Sequence, residues 1–128
     1  MTSRTYGKQV RKLAQKYLSL LGLCHWRLTR LYVGIPKHIK KELAAHYPEA
    51  ANGFYACVYP TGRNKFVMAV SRTIPTDKLE GVIAHEISHI LLHHLYEATR
   101  DGKHSLAKDH LEVVCDRIAD AVTRSKCA

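Results

Sequence analysis

The 128-residue sequence lacks both a long run of apolar residues and a Cys-x-x-Cys pair. The first absence argues against a transmembrane helix, which needs about 20 mainly apolar residues. Charged residues recur from the N-terminus as far as Lys16, so no secretory signal peptide is expected. The four cysteines lack the paired spacing of a zinc finger. A cytoplasmic protein with reduced thiols is the favoured interpretation, with two disulfides as the alternative.

Acidic residues are scarce in the first 75 positions, where 13 Lys and Arg are accompanied by Glu42 and Glu49 alone. Residues 76–128 instead hold seven basic and nine acidic residues. The basic part predicts either a solvated surface or a site for nucleic acid or another polyanion. Otherwise the composition is that of a soluble globular protein, and the length predicts a single domain over residues 1–128.

Hydrophobic periodicity and chain breakers predict a small α+β fold. The expected helices lie at 5–22, 37–47, 76–97 and 106–125, and the expected strands at 25–34, 54–60 and 65–71. Residues 61–64 have the length and composition of a hairpin turn between the last two strands. No repeat or linker divides the chain.

The helix predicted at 76–97 carries the motif His-Glu-x-x-His at His85, Glu86 and His89. Residues four apart lie on one helix face, so the two imidazoles can bind one zinc ion. Glu86 follows the first histidine and can act as general base toward a zinc-activated water. The apolar residues around the motif predict a helix that is buried on several sides, as a site-bearing helix requires.

A zinc hydrolase needs a third protein ligand and one open position. One set of candidates is the other histidines of this region, His93, His94, His104 and His110. The longer three-histidine motif is absent, because Leu92 and Leu95 occupy its remaining positions. On the last helix, Glu112 could bind the metal, and Asp116 could accept the ring N–H of a ligating histidine. Cys115 could also supply a thiolate, although a core position is the preferred interpretation.

Together, His85, Glu86 and His89 with Glu112 and Asp116 on a later helix resemble the gluzincin metallopeptidases. The chain is similar to the ImmA/IrrE-type metallopeptidase domains over residues 82–122, and only the order of elements matches before that. The resemblance implies a small zincin-like domain that hydrolyses peptide bonds of a protein substrate. It further implies one zinc ion held by His85, His89 and Glu112, with a histidine or tyrosine stabilising the oxyanion. The candidates for that donor are Tyr96, His104 and His110.

Many such domains bind an extended peptide along the edge strand beside the metal helix, so the resemblance implies substrate pairing with residues 65–71. The helix-turn-helix that often accompanies them has no counterpart here. Two other functions stay open. One is a SprT-like DNA-associated protease, which would use a third histidine in place of Glu112 and would suit the basic N-terminal half. The other is a non-catalytic zinc-binding regulatory module.

Overall fold

The computed structural model describes residues 3–34, 37, 38, 41, 56–99 and 108–124, and describes side chains within 4–34, 37, 38, 41, 56–94 and 113–124. In chain order the elements are helix α1 (Ser3–Leu20), strands β1 (Arg27–Val33), β2 (Ala56–Gly62) and β3 (Lys65–Val70), and helices α2 (Thr76–Thr99) and α3 (Lys108–Arg124). This part of the chain is a small α+β fold with three helices and a three-stranded mixed sheet. Most of the helix predicted at 37–47 lies outside the described residues. None of the described helices is long and apolar enough to cross a membrane.

Helix α1 is amphipathic and ends at a glycine. Its buried side is formed by Val10, Ala14, Tyr17 and Leu18, while the basic residues interleaved with them are exposed. Gly22 has a φ of 72°, and its N–H donates to the Ser19 carbonyl at 3.2 Å. The next N–H, of Leu23, donates to the Leu18 carbonyl at 2.7 Å. This pair of bonds is the Schellman motif, in which a left-handed residue satisfies the last helix carbonyls.

The sheet has the strand order β1-β3-β2, with β1 parallel and β2 antiparallel to β3. The register of β1 shifts between Leu28 and Arg30. Because of this irregularity, Leu28 pairs with Phe66 and Leu31 pairs with Met68, so both leucines face the core despite their odd spacing. The irregularity explains why the sequence of β1 alternates imperfectly.

Strands β2 and β3 form the expected antiparallel hairpin, but the turn is shorter than predicted. It consists of Arg63 and Asn64, since β2 extends to Gly62, and Asn64 adopts a φ of 60°. Asparagine is among the residues that tolerate this left-handed conformation best. The hairpin makes β3 the central strand. The expectation that residues 65–71 form the edge strand for substrate is therefore wrong, because both edges of β3 are already paired within the described sheet.

One hydrophobic cluster joins all six elements. The central strand contributes Phe66, Met68 and Val70, and the cluster extends to α1, α2 and α3. Helix α2 packs against α1, β2 and α3, which explains its burial on several sides. Two other contacts fix α2 at its ends. The Tyr17 hydroxyl donates to Glu80 Oε1 at 2.8 Å, and the Trp26 indole N–H donates to His94 Nδ1 at 3.2 Å.

Candidate metal centre

The His-Glu-x-x-His segment lies in the middle of α2, at its contact with α3. The core side of this helix is apolar and buried, through Leu79, Ile83, Ile87 and Ile90. His85 and His89 are partly buried on the side that meets α3. The helix therefore fixes both imidazoles in a rigid setting and leaves them accessible at one side.

The two imidazole rings converge through their Nε2 atoms. These atoms of His85 and His89 lie 3.2 Å apart, and the ring centroids are 5.0 Å apart. Two nitrogens bound to one tetrahedral zinc ion, each at about 2.0–2.1 Å from it, are separated by about 3.3 Å. The observed spacing therefore fits two ligands of a single zinc ion.

Helix α3 supplies the carboxylate that orients the first histidine. Asp116 Oδ1 lies 2.7 Å from His85 Nδ1, on the side of the ring away from His89. An ionised carboxylate can only accept, so the ring donates through Nδ1–H. In the neutral ring, Nε2 then carries the lone pair that a metal requires, and its direction is set by this bond.

A third potential ligand, Cys115, lies at the same place. Its Sγ and the ligand nitrogens of His85 and His89 all lie within 4.8 Å of one another. The Cys115 side chain is fully buried, as expected of a core cysteine. It also lies close to a ring nitrogen of each of the two histidines. The burial agrees with the expected core role, and the proximity to the two histidines adds a possible ligand role that the position beside Asp116 had suggested.

Glu86 follows His85 on helix α2 and is buried, with 8% of its surface exposed. The carboxylate interacts electrostatically with strand β2. The pKa of the Cys57 thiol on this strand is raised to about 12, mainly by burial and secondarily by the negative charge of Glu86. Helix α2 packs against β2, so the carboxylate lies near this strand. Glu86 is thus a buried carboxylate one residue from a candidate metal ligand, where a general base of a metal site would be placed.

Of the other candidate residues, two histidines pack around Trp26 and the rest have side chains outside the described residues. His94 accepts the indole N–H of Trp26, and the ring of His93 lies 6.0 Å from the Trp26 ring, so both pack around this tryptophan. The structure does not bring either of them into the cluster with His85. Glu112 belongs to α3 one turn before Asp116, but its side chain lies outside the described residues. The same holds for the side chains of the proposed oxyanion donors, Tyr96, His104 and His110.

Comparisons with protein-family models, with curated proteins and with solved structures found no match for the chain.

Proposed function

We propose that the protein is a zinc-dependent metallopeptidase, with Glu86 as general base. The observation that carries the proposal is the 3.2 Å separation of the His85 and His89 Nε2 atoms. It is supported by the Asp116 carboxylate, which holds the first ring from its other nitrogen. Metal-ligating histidines almost always have such an orienting partner at their other ring nitrogen.

His85 and His89 would hold the ion, and a third ligand would come from α3. Glu112 is the ligand that the resemblance implies. Zinc at such a site supplies a Lewis acid that lowers the pKa of a water molecule and polarises a carbonyl. Glu86 accepts a proton from water and returns it to the leaving amine. Its burial keeps the carboxylate poorly solvated.

The substrate class proposed is an extended protein or peptide segment. Strand β2 lies at an edge of the described sheet and packs beside α2, whereas β3 is central. A peptide that pairs with the outer edge of β2 would run close to Glu86, whose charge already reaches Cys57 of this strand. The strand proposed to pair with the substrate peptide is therefore residues 56–62 instead of residues 65–71.

Replacing Glu86 with glutamine tests the proposal. Glutamine keeps the shape of the side chain and removes the base, so the rate of peptide cleavage should fall by about 10²–10⁴-fold while bound zinc is unchanged. Cleavage would be followed in a proteome-derived peptide library by mass spectrometry of new termini, and zinc by elemental analysis. Glu80→Gln is the matched control. Glu80 is a carboxylate on the same helix, but it accepts a hydrogen bond from Tyr17 and belongs to no proposed ligand set.

A zinc-loaded wild-type protein that cleaves no peptide would instead support the non-catalytic zinc module. That alternative requires the metal but no general base. Cleavage that is as fast after Glu86→Gln would refute Glu86 as the general base.

A second candidate function, nucleic-acid binding, is favoured by the charge distribution on α1 and β1. Exposed basic residues line the outer side of α1 and continue onto β1, at Arg4, Lys8, Arg11, Lys12, Lys16, Arg27 and Arg30. A cleft of ≈ 350 Å³ between the two elements is lined in part by Arg11, Gln15 and Arg27. The Arg11 guanidinium donates to the Leu28 carbonyl at 3.5 Å, which holds it near this cleft. Arginines grouped in this way suit phosphate recognition.

This second function is tested with a fluorescently labelled DNA duplex titrated at several salt concentrations. The double variant Arg11→Glu, Arg27→Glu should weaken binding and flatten its dependence on salt, by about 0.9 in the log–log slope per lost phosphate contact. A double charge reversal elsewhere, at Lys78 and Arg124, serves as control because both residues are exposed on α2 and α3. Equal effects of the two variants, or no binding at moderate salt, would remove the nucleic-acid function.

A further inference from the structure

Cys115 occupies an unusual position for a buried cysteine. Its side chain has no exposed surface, yet among the described residues it does not belong to the hydrophobic cluster that forms the core. Ala119, one turn later on the same side of α3, does belong to that cluster. The sulfur is therefore buried at the edge of the core, where α3 meets the histidines of α2.

The surroundings of the sulfur are those of a ligand set. The sulfur of Cys115 lies within 4.8 Å of one ring nitrogen of His85 and one of His89. The Nε2 atoms of the two rings are 3.2 Å apart, which is the spacing of two ligands on one zinc ion. Sulfur binds zinc at about 2.3 Å and imidazole nitrogen at about 2.0–2.1 Å, so three donors on one tetrahedral ion are separated by about 3.3–3.6 Å. The three donors, which lie within 4.8 Å of one another, would close to that spacing around an ion. Asp116, the next residue, orients His85, so a single turn of α3 would provide a ligand and the support of another ligand.

We propose that the third metal ligand is the Cys115 thiolate, in a His85–His89–Cys115 centre that differs from the Glu112 ligand set. The inference rests on the proposed function only in requiring that the two histidines bind a metal. Three protein ligands leave a fourth position open, as hydrolysis needs. The softer sulfur donor selects zinc, cobalt or ferrous iron and disfavours magnesium and calcium. If Glu112 bound in addition, four protein ligands would close the site and hydrolysis would be lost.

Cobalt substitution distinguishes the two ligand sets directly. A thiolate bound to Co²⁺ gives an intense near-ultraviolet charge-transfer band, whereas carboxylate and imidazole ligands do not. The full chain, loaded with Co²⁺ in place of zinc, should show this band, and Cys115→Ala should abolish it. The control Cys57→Ala should keep it, because Cys57 is another buried cysteine but belongs to strand β2 and lies outside the His85–His89–Cys115 cluster. Glu112→Ala should keep it as well.

Metal affinity provides a second measurement. Loss of a direct ligand should weaken zinc binding by more than about 100-fold, which is the upper end of the cost of losing a hydrogen bond to a ligand. Cys115→Ser, which nearly preserves volume, repeats the test if the alanine variant unfolds, and circular dichroism of both variants reports their folding.

Bound cobalt without the charge-transfer band in the wild-type protein would overturn the thiolate ligand while leaving the two-histidine metal site standing. A band that survives in Cys115→Ala would overturn it equally. If no cobalt binds, or if His85→Ala and His89→Ala leave cobalt binding unchanged, the metal site and the thiolate ligand both fail. Cobalt bound with the band, in a protein that never cleaves peptides, would establish the ligand and refute only the peptidase function.

Discussion

Replacing Asp116 with alanine removes the group that holds His85 through Nδ1 at 2.7 Å. Asp116 is itself well exposed, with 72% of its side-chain surface accessible, so the change should shift the free energy of unfolding by less than about 0.5 kcal/mol. Zinc affinity should respond far more. The ring of His85 loses its fixed orientation and its preferred tautomer, and the proton can move to Nε2, where it blocks the metal.

The expected loss of zinc affinity is about 10–100-fold, or about 1.4–2.7 kcal/mol. Asp116→Asn should lie at the lower end of that range, because the amide oxygen can still accept from Nδ1–H. Affinity would be measured by competition with a chromophoric chelator, and the metal-free stability by urea unfolding. Asp120→Ala, an exposed carboxylate one turn further along α3, is the control.

An Asp116→Ala variant that binds zinc within twofold of the wild type would refute the orienting role. If the variant lost zinc because it unfolds, urea unfolding of the metal-free protein would show a large fall in stability. Such a fall would contradict the small effect expected from the 72% exposure of the Asp116 side chain.

Three further predictions concern the scaffold. Gly22→Ala should destabilise the protein by about 1–2 kcal/mol in urea unfolding, because the φ of 72° at this residue disfavours a Cβ. Gly81→Ala, inside α2 with open space around a Cβ, should instead stabilise the protein by up to about 1 kcal/mol. Equal effects of the two substitutions would contradict the Schellman assignment. Tyr17→Phe should cost about 1–2 kcal/mol because it removes the hydrogen bond to Glu80, and a neutral result would mean that this contact contributes nothing. The folded-state pKa of Cys57 is raised from 9.0 to about 12. The neutral thiol therefore contributes stability that is present below pH 9 and is lost as pH rises toward 12. Cys57→Ala should make the fall of unfolding free energy with alkaline pH shallower, and an unchanged pH dependence would contradict the raised pKa.

Local signals in the sequence predicted most of the helices and strands. The three-to-four-residue spacing of apolar residues in α1 and the glycine at 22 place that helix within two residues of its observed ends. The helix with the two-histidine motif was expected at 76–97 and extends over Thr76–Thr99. These features are readable because they depend on neighbours within a turn or two of the same helix.

The order of the strands was not readable in this way. Residues 65–71 follow β2 and precede α2, and nothing local indicates that β1 pairs with their other edge. This pairing joins residues almost 40 positions apart, for example Leu28 and Phe66, and it depends on burying both against the helices. The bulge in β1 could not be predicted from local sequence either, because it depends on packing Leu31 in the core beside Met68.

By itself, the sequence predicted the α+β composition of the fold, the helix that carries His85, Glu86 and His89, and Asp116 as an acceptor for a histidine ring, because each follows from residue spacing within single helices and strands. Only the tertiary structure decided which histidine Asp116 contacts, that His94 is engaged by Trp26, and that the Cys115 sulfur meets the two imidazoles. Those contacts depend on the packing of α3 and the α1–β1 connection against α2. Spacing along a single helix specifies a face, whereas the partner of that face is chosen by burial in three dimensions.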